Sequence, residues 1–302
     1  IDFSGRILDG LYNAELGLEK QNRKKTTTFR VYYRALYRQQ DRDIAYLLNR
    51  STWEADMWNN SFNLEVKHTY RYQSGKGELN VGLRSSSLGS DYDYHQLKLE
   101  ALNNTNLWRL KLNTRFFAQL GTGSNWAPES QLYLAGANPE EMMYNKFTRS
   151  AGIFPSEWAT IQESSNHLHA GGGLNLRGYV GYLAPENVDG DIVLAYAGNS
   201  GASINAELEF DEIFGLRPWW TKNWLDIDLY IFGDIGLIST NQPGDDFTFA
   251  APRADAGIGT TITIKEWGVL EKAKPLTIRF DMPFFLNRTP ALDPEPWAFR
   301  WI

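Results

Sequence analysis

Phe62-Asn-Leu-Glu-Val-Lys-His-Thr-Tyr-Arg-Tyr-Gln73 alternates without a break. Phe62, Leu64, Val66, His68, Tyr70 and Tyr72 fall on one parity, and Asn63, Glu65, Lys67, Thr69, Arg71 and Gln73 on the other. Successive side chains of an extended strand point to opposite faces, so the stretch predicts a strand with one mainly apolar and one charged face. It is also long, since strands of soluble domains commonly run to about 5–6 residues.

The same pattern recurs along the chain. Phe29, Val31, Tyr33, Ala35 and Tyr37 alternate with Arg30, Tyr32, Arg34, Leu36 and Arg38, and Trp108–Phe116 repeats it. Ile204–Phe210, Leu225–Phe232, Ala254–Ile264 and Leu276–Met282 follow, with further strands predicted near 7–20, 76–88, 93–103 and 180–197 and a stub at 297–302. The total is about eleven strands. Full charges of both signs crowd the polar rows, and the apolar rows end in Tyr70, Tyr72, Trp108 and Phe116. Connections alternate between tight ones, Ser74–Gly77 and Asn103–Asn106, and long ones, 39–60 and 123–166. A hydrated lumen, aromatic girdles and long loops at one end are the signature of an all-β, antiparallel transmembrane β-barrel with long extracellular loops. A soluble β-sandwich also alternates, with its polar face in water, so a soluble β-rich ligand-binding protein stays open as the alternative.

Composition narrows the choice. The 302 residues include 11 Trp, 15 Tyr and 16 Phe and no cysteine, which leaves no disulfide framework or thiolate metal site. A net charge of −6 argues against nucleic acid as a partner. No apolar run reaches the roughly 18 residues of a membrane helix, although barrel strands average out as hydrophilic and escape that test. The chain opens on Ile1 without a methionine, which reads as a processed or truncated end. Residues 1–302 read as a single β-barrel domain. Within it, 123–166 carries Pro128, Pro139 and Pro155 and is longer than an ordinary connection, as a functional segment or cap would be. Glu140–Tyr144 reads as a short helix inside it.

One loop stands out chemically: Gly171-Gly-Gly-Leu-Asn-Leu-Arg-Gly-Tyr179 places an arginine among glycines that permit unusual backbone conformations. A guanidinium brought inside a barrel needs a carboxylate, and Phe232-Gly-Asp-Ile-Gly236 supplies one. Asp234 shares its polar face with Asp226 and Asp228, Glu209 and Glu207 are second choices, and Gly233 and Gly236 leave room for a loop to approach. Alone, Arg177 reads equally as a solvent-exposed loop residue. His167 and His169 lack a third ligand at a telling spacing and read as a polar strand entry. No Gly-Lys-Ser/Thr follows the glycines and no Gly-x-Ser-x-Gly occurs, so no catalytic residue, metal site or cofactor is predicted, and the chain reads as a non-enzyme.

Leu176-Arg-Gly-Tyr179, followed by the Phe232–Gly236 strand, then Arg253–Gly259 and Pro275–Pro283, resembles the Omp85 superfamily of outer-membrane barrels over about residues 130–302. The resemblance implies a loop, here about 167–182, folded back into the barrel, with Arg177, Gly178 and Tyr179 at its tip and Arg177 paired to Asp234 of the Phe232–Gly236 strand. An intact barrel of about sixteen strands is then expected, so about five are missing before the motif, as are the POTRA domains that usually precede it. A C-terminal fragment or a reduced member would fit, with 138–166 as an insertion. The implied location is the bacterial outer membrane, and the implied role is insertion, assembly or translocation of proteins there. A membrane anchor or secretion platform for a fused N-terminal domain is the other implied role. The implied partners are outer-membrane lipids (lipopolysaccharide or phospholipid), client polypeptides, and periplasmic or lipoprotein factors.

Overall fold

The computed structural model describes residues 1–8, 11–39, 54–86, 88–144, 171–188, 191–210, 224–240, 248–265, 275–289 and 296–299. Seven strands follow one another as an antiparallel meander: β1 (Asp2–Leu8), β2 (Leu11–Gln21), β3 (Thr27–Arg38), β4 (Ser61–Tyr72), β5 (Gly75–Ser86), β6 (Asp93–Leu107) and β7 (Leu110–Asn125). The chain then leaves the sheet for an inner segment. It contains β8 (Leu132–Tyr133), the one-and-a-half-turn helix α1 (Pro139–Tyr144), the pair β9 (Pro185–Val188) and β10 (Asp191–Leu194), and β11 (Ala197–Gly198), which returns to β8. β12 (Gly201–Glu209) re-enters the sheet directly beside β7, and β13 (Leu225–Ile238), β14 (Arg253–Ile264), β15 (Leu276–Arg288) and β16 (Pro296–Phe299) complete the order.

The all-β, antiparallel expectation holds, with twelve strands in one sheet. The stretch near 7–20 is two strands, because the chain reverses between Leu8 and Leu11. The segment 180–197 is not a sheet strand: it supplies the short inner pairs. Asn103–Asn106 is not a turn either. β6 runs on to Leu107, its asparagines bonded to Tyr70 and Asn113, and the chain reverses at Trp108, which takes φ +58° without glycine. Tight reversals at Asn22–Thr26, Gln73–Ser74 and Trp108–Arg109 gather at one end of the sheet. The connections 39–60 and 126–200 lie at the other, so the tight/long alternation is clear in the first half of the chain. The 40–53 part of the first and the 145–170 part of the second, with His167 and His169, fall outside the described residues.

Twelve strands at about 4.8 Å spacing would span about 50 Å if flat. Yet the one inner segment touches β1 through Arg6 on the Tyr144 carbonyl, β3 and β5 through Glu140, β7 through Arg115 on the Gly173 carbonyl, β12 and β13 through Arg177, and β15 through Tyr179. Only a sheet curled around that segment permits all seven. β1 and β16 end the strand order, with no ladder between them among the described residues.

The two faces are inverted relative to a water-soluble protein. On the inner face Asn13, Glu15, Arg34, Asn63, Gln119, Asn205, Asp234, Arg253 and Asp255 are buried. On the outer face Leu16, Leu18, Phe29, Phe62, Ile204, Ile231, Ile235, Ile258 and Phe280 are exposed. In water, each of those half-exposed apolar side chains forgoes roughly half of the about 1.5–3 kcal/mol that full burial contributes.

Candidate functional site

The path of the arginine loop is set by local sequence. Gly171, Gly172 and Gly173 take φ values of +110°, +83° and +55°. The chain then runs alongside β8, with the Leu174 and Leu176 amides donating to the carbonyls of Tyr133 (2.9 Å) and Leu134 (3.1 Å). The two leucines are buried with Phe117, Leu132, Leu134 and Ile238. Alternation then sends Arg177 the other way, toward the polar wall, as the chain tightens into a single 3-10 turn over Arg177–Tyr179.

Arg177 is buried and fully engaged. Its Nε donates to Asp234 Oδ2 at 2.7 Å and its Nη2 to Asp234 Oδ1 at 2.8 Å, a two-pronged pairing. Its backbone amide also points at Asp234 Oδ2 (3.3 Å), and Nη1 donates to Glu207 Oε1 (2.6 Å) and lies 3.5 Å from Asp281 Oδ1. The guanidinium carbon sits 3.9 Å from the centre of the Phe232 ring, a cation–π stack that uses the other named residue of the strand motif. Burial works against the charge, but Asp234, Glu207 and Asp281 outweigh it and raise the Arg177 pKa above its ordinary value. Asp234 is further held by Asn205 Nδ2 (3.0 Å), and Glu207 and Asp281 share Arg279.

The flanking residues are equally constrained. A Cβ on Gly178 would lie 2.5 Å from Leu286 Cδ2 and 2.6 Å from Asp255 Cβ, so no other residue fits without displacing the wall. One on Gly236 would meet Leu176 Cδ1 and the Ala202 carbonyl at 2.9 Å. The Tyr179 hydroxyl reaches Asn287 Oδ1 (3.0 Å) and the Arg288 carbonyl (2.9 Å), tying the loop tip to β15.

The structure separates the two secondary carboxylates. Glu207 reaches Arg177, whereas Glu209 does not: two residues further along β12, it lies nearer the hairpin end and pairs with Lys111 (3.1 Å) and Asn113 (2.6 Å). Asp226 pairs with Lys265 at 2.5 Å. Asp281 and Asp255 escaped notice. Asp255 stands directly across the β13–β14 ladder from Asp234, which puts two buried carboxylates side by side. The parity of Arg253-Ala-Asp255 was the signal for it.

Two further charged anchors hold the inner segment. Glu140 of α1 receives Arg84 Nη1 on both oxygens (2.9 and 2.7 Å), Arg34 Nη1, and Ser130 Oγ (2.7 Å). Burial alone pushes the Glu140 carboxyl up, but Arg84 and Arg34 override it and hold the pKa at about 2. Glu186 of β9 receives Arg253 (2.6 Å) and Arg288 (3.1 Å). Glu129, buried beside Asn59 and with no ion pair among the described residues, is pushed up by burial to about 7. Among the described residues no group of His, Asp and Glu is arranged to hold a metal.

No protein-family profile matches this chain, and no curated protein does. Among solved structures, the chain is similar to the crystal structure of BamA from Haemophilus ducreyi lacking POTRA domains 1–3. The two share 14% sequence identity and a TM-score of 0.47, over 96% of this chain and 53% of that one. This chain therefore spans about half the length of that protein.

Proposed function

We propose that this chain is the membrane-embedded barrel of an Omp85-like outer-membrane protein, serving insertion, assembly or translocation of polypeptides, with the Arg177 loop as its internal lock. The carrying observation is the inverted sheet: buried charge inside and apolar side chains outside, curled around a segment held by ion pairs. A bilayer rewards that distribution and water penalises it. Arg177 ties the loop to β12, β13 and β15 through three carboxylates, so withdrawing it releases the loop from three strands at once. The partners of this reading are outer-membrane lipids and client polypeptides, and the chemistry is mechanical rather than catalytic.

The test is cell fractionation of the full chain with and without the lock. The intact protein is expected in the outer-membrane fraction, extractable only with detergent, and resistant to unfolding in cold detergent. Arg177→Ala with Asp234→Ala is expected to lose that resistance. Recovery of the intact protein without detergent would overturn the membrane reading, and normal assembly of the double variant would overturn the lock.

A further inference from the structure

Between the hairpin end of the sheet and the tip of the arginine loop lies a cavity of about 960 Å³. Its mouth is formed by the β2–β3 turn and the β4–β5 hairpin, and its floor by Asn175, Arg115 and Glu207, next to the Arg177 cluster. The charges around it do not balance. Lys24, Lys25, Arg71 and Lys76 line the mouth, are exposed, and have no carboxylate partner among the described residues. The two lining carboxylates are already taken: Glu78 by Lys67 (2.7 Å), and Glu207 by Arg177 and Arg279. A chain of net charge −6 thus presents a concentrated, uncompensated positive mouth over a cavity lined mainly by polar residues.

We infer that this vestibule binds an acidic polypeptide segment, entering from the hairpin end. Three features choose that ligand over other anions. The cations are spread around the mouth on two separate reversals, which suits charges distributed along a chain rather than one compact anion. Asn113 is spent on Asn104 and Glu209, but Asn103, which accepts from Tyr70 through Oδ1, keeps its Nδ2 as a donor, and Asn104, which donates to Asn113, keeps its Oδ1 as an acceptor, so the wall can donate and accept as peptide groups do, whereas phosphates only accept. Leu102 is the one aliphatic side chain lining it, where an acyl chain would need a row of them. The site stands on the cavity geometry and holds whether or not the outer face meets lipid.

The experiment is fluorescence anisotropy of a short fluorescein-labelled glutamate-rich peptide with the full chain in an uncharged detergent. Binding is expected to saturate, to fall as salt rises, and to weaken at least about tenfold when Lys24, Lys25, Arg71 and Lys76 are all changed to glutamine. Lys20→Gln with Arg23→Gln, outside the cavity at the same end, is expected to leave affinity within about twofold. Equal binding by the quadruple variant would overturn the proposal. So would equal binding of the all-glutamine peptide, or displacement by tripolyphosphate at lower concentration than by unlabelled peptide of equal charge, which would make it a phosphate site. Because the readout is binding by purified protein, its failure leaves the membrane reading standing, and failed membrane insertion leaves a positive binding result standing.

Discussion

Arg177 shows why one buried guanidinium can organise a loop. It takes two oxygens of Asp234 and one of Glu207 while stacking on Phe232, an arrangement that a lysine's single ammonium cannot reproduce. Removing one member of such a buried pair leaves its partner desolvated and uncompensated, at a cost of about 3–5 kcal/mol. The neighbouring carboxylate behaves differently. Asp255 faces Asp234 across the ladder and makes no ion pair among the described residues, so two buried carboxyls stand side by side and only Asp234 is matched to the Arg177 cation. Asp234→Asn is therefore expected to lower the urea midpoint of unfolding sharply, whereas Asp255→Asn is expected to leave it unchanged or raise it. Equal losses from the two substitutions would show that Asp255, too, belongs to the pairing that holds the loop. Gly178 belongs to the same scale, since any side chain there would strike Asp255 and Leu286.

The inner segment is the element whose role was least legible in sequence. The strand alternation announced itself, and so did Arg177 and Asp234, because glycines and an acid in an apolar strand are local signals. Glu140 gave no such signal: Glu140–Tyr144 reads as a short surface helix, yet Glu140 is buried between Arg34 of β3 and Arg84 of β5, from which it is far removed in sequence. Pairing across that separation depends on the sheet curling, and no local pattern encodes it. The 180–197 stretch misled for a related reason, since short inner pairs carry the same β-branched residues as a wall strand. Two carboxyls of this element respond to pH in opposite directions. Glu140, lowered from 4.5 to about 2, contributes stability that is present above pH 4.5 and lost as pH falls toward 2. Glu129, raised from 4.5 to about 7, is protonated when folded, so its contribution is present below pH 4.5 and lost as pH rises through 7. Glu129→Gln copies the protonated form beside Asn59. The variant is expected to match the parent at pH 4 and exceed its stability at pH 8 in paired denaturation curves. A constant difference across that range would remove Glu129 from the pH response.

At the scale of the whole molecule the question is which solvent the outer face is built for. Sheet order, curvature and the burial of charge follow from the fold, but an inverted sheet is stable only if something other than water covers Ile204, Ile231, Ile235 and Ile258. Lipid makes a depth-dependent demand that no other covering makes. A cation placed on the lipid face at the bilayer midplane costs about 2–4 kcal/mol, falling to about 0–1 near the interfaces. On a water-facing surface the same substitution changes stability by about 0.5 kcal/mol or less at either position. Ile231 lies near the middle of β13 and points outward, whereas Trp108 sits exposed in the β6–β7 turn at the sheet's end. Refolding into phospholipid vesicles across a urea series is therefore expected to show Ile231→Arg destabilised by about 2–4 kcal/mol and Trp108→Arg by about 1 kcal/mol or less. Phe232, one residue on from Ile231, faces inward under Arg177, so a defect of Phe232→Arg would report on the lock and not on depth. Equal, small effects at Ile231 and Trp108 would mean that the outer face is covered by water or protein, and the sheet would then have to be read as half of a soluble assembly.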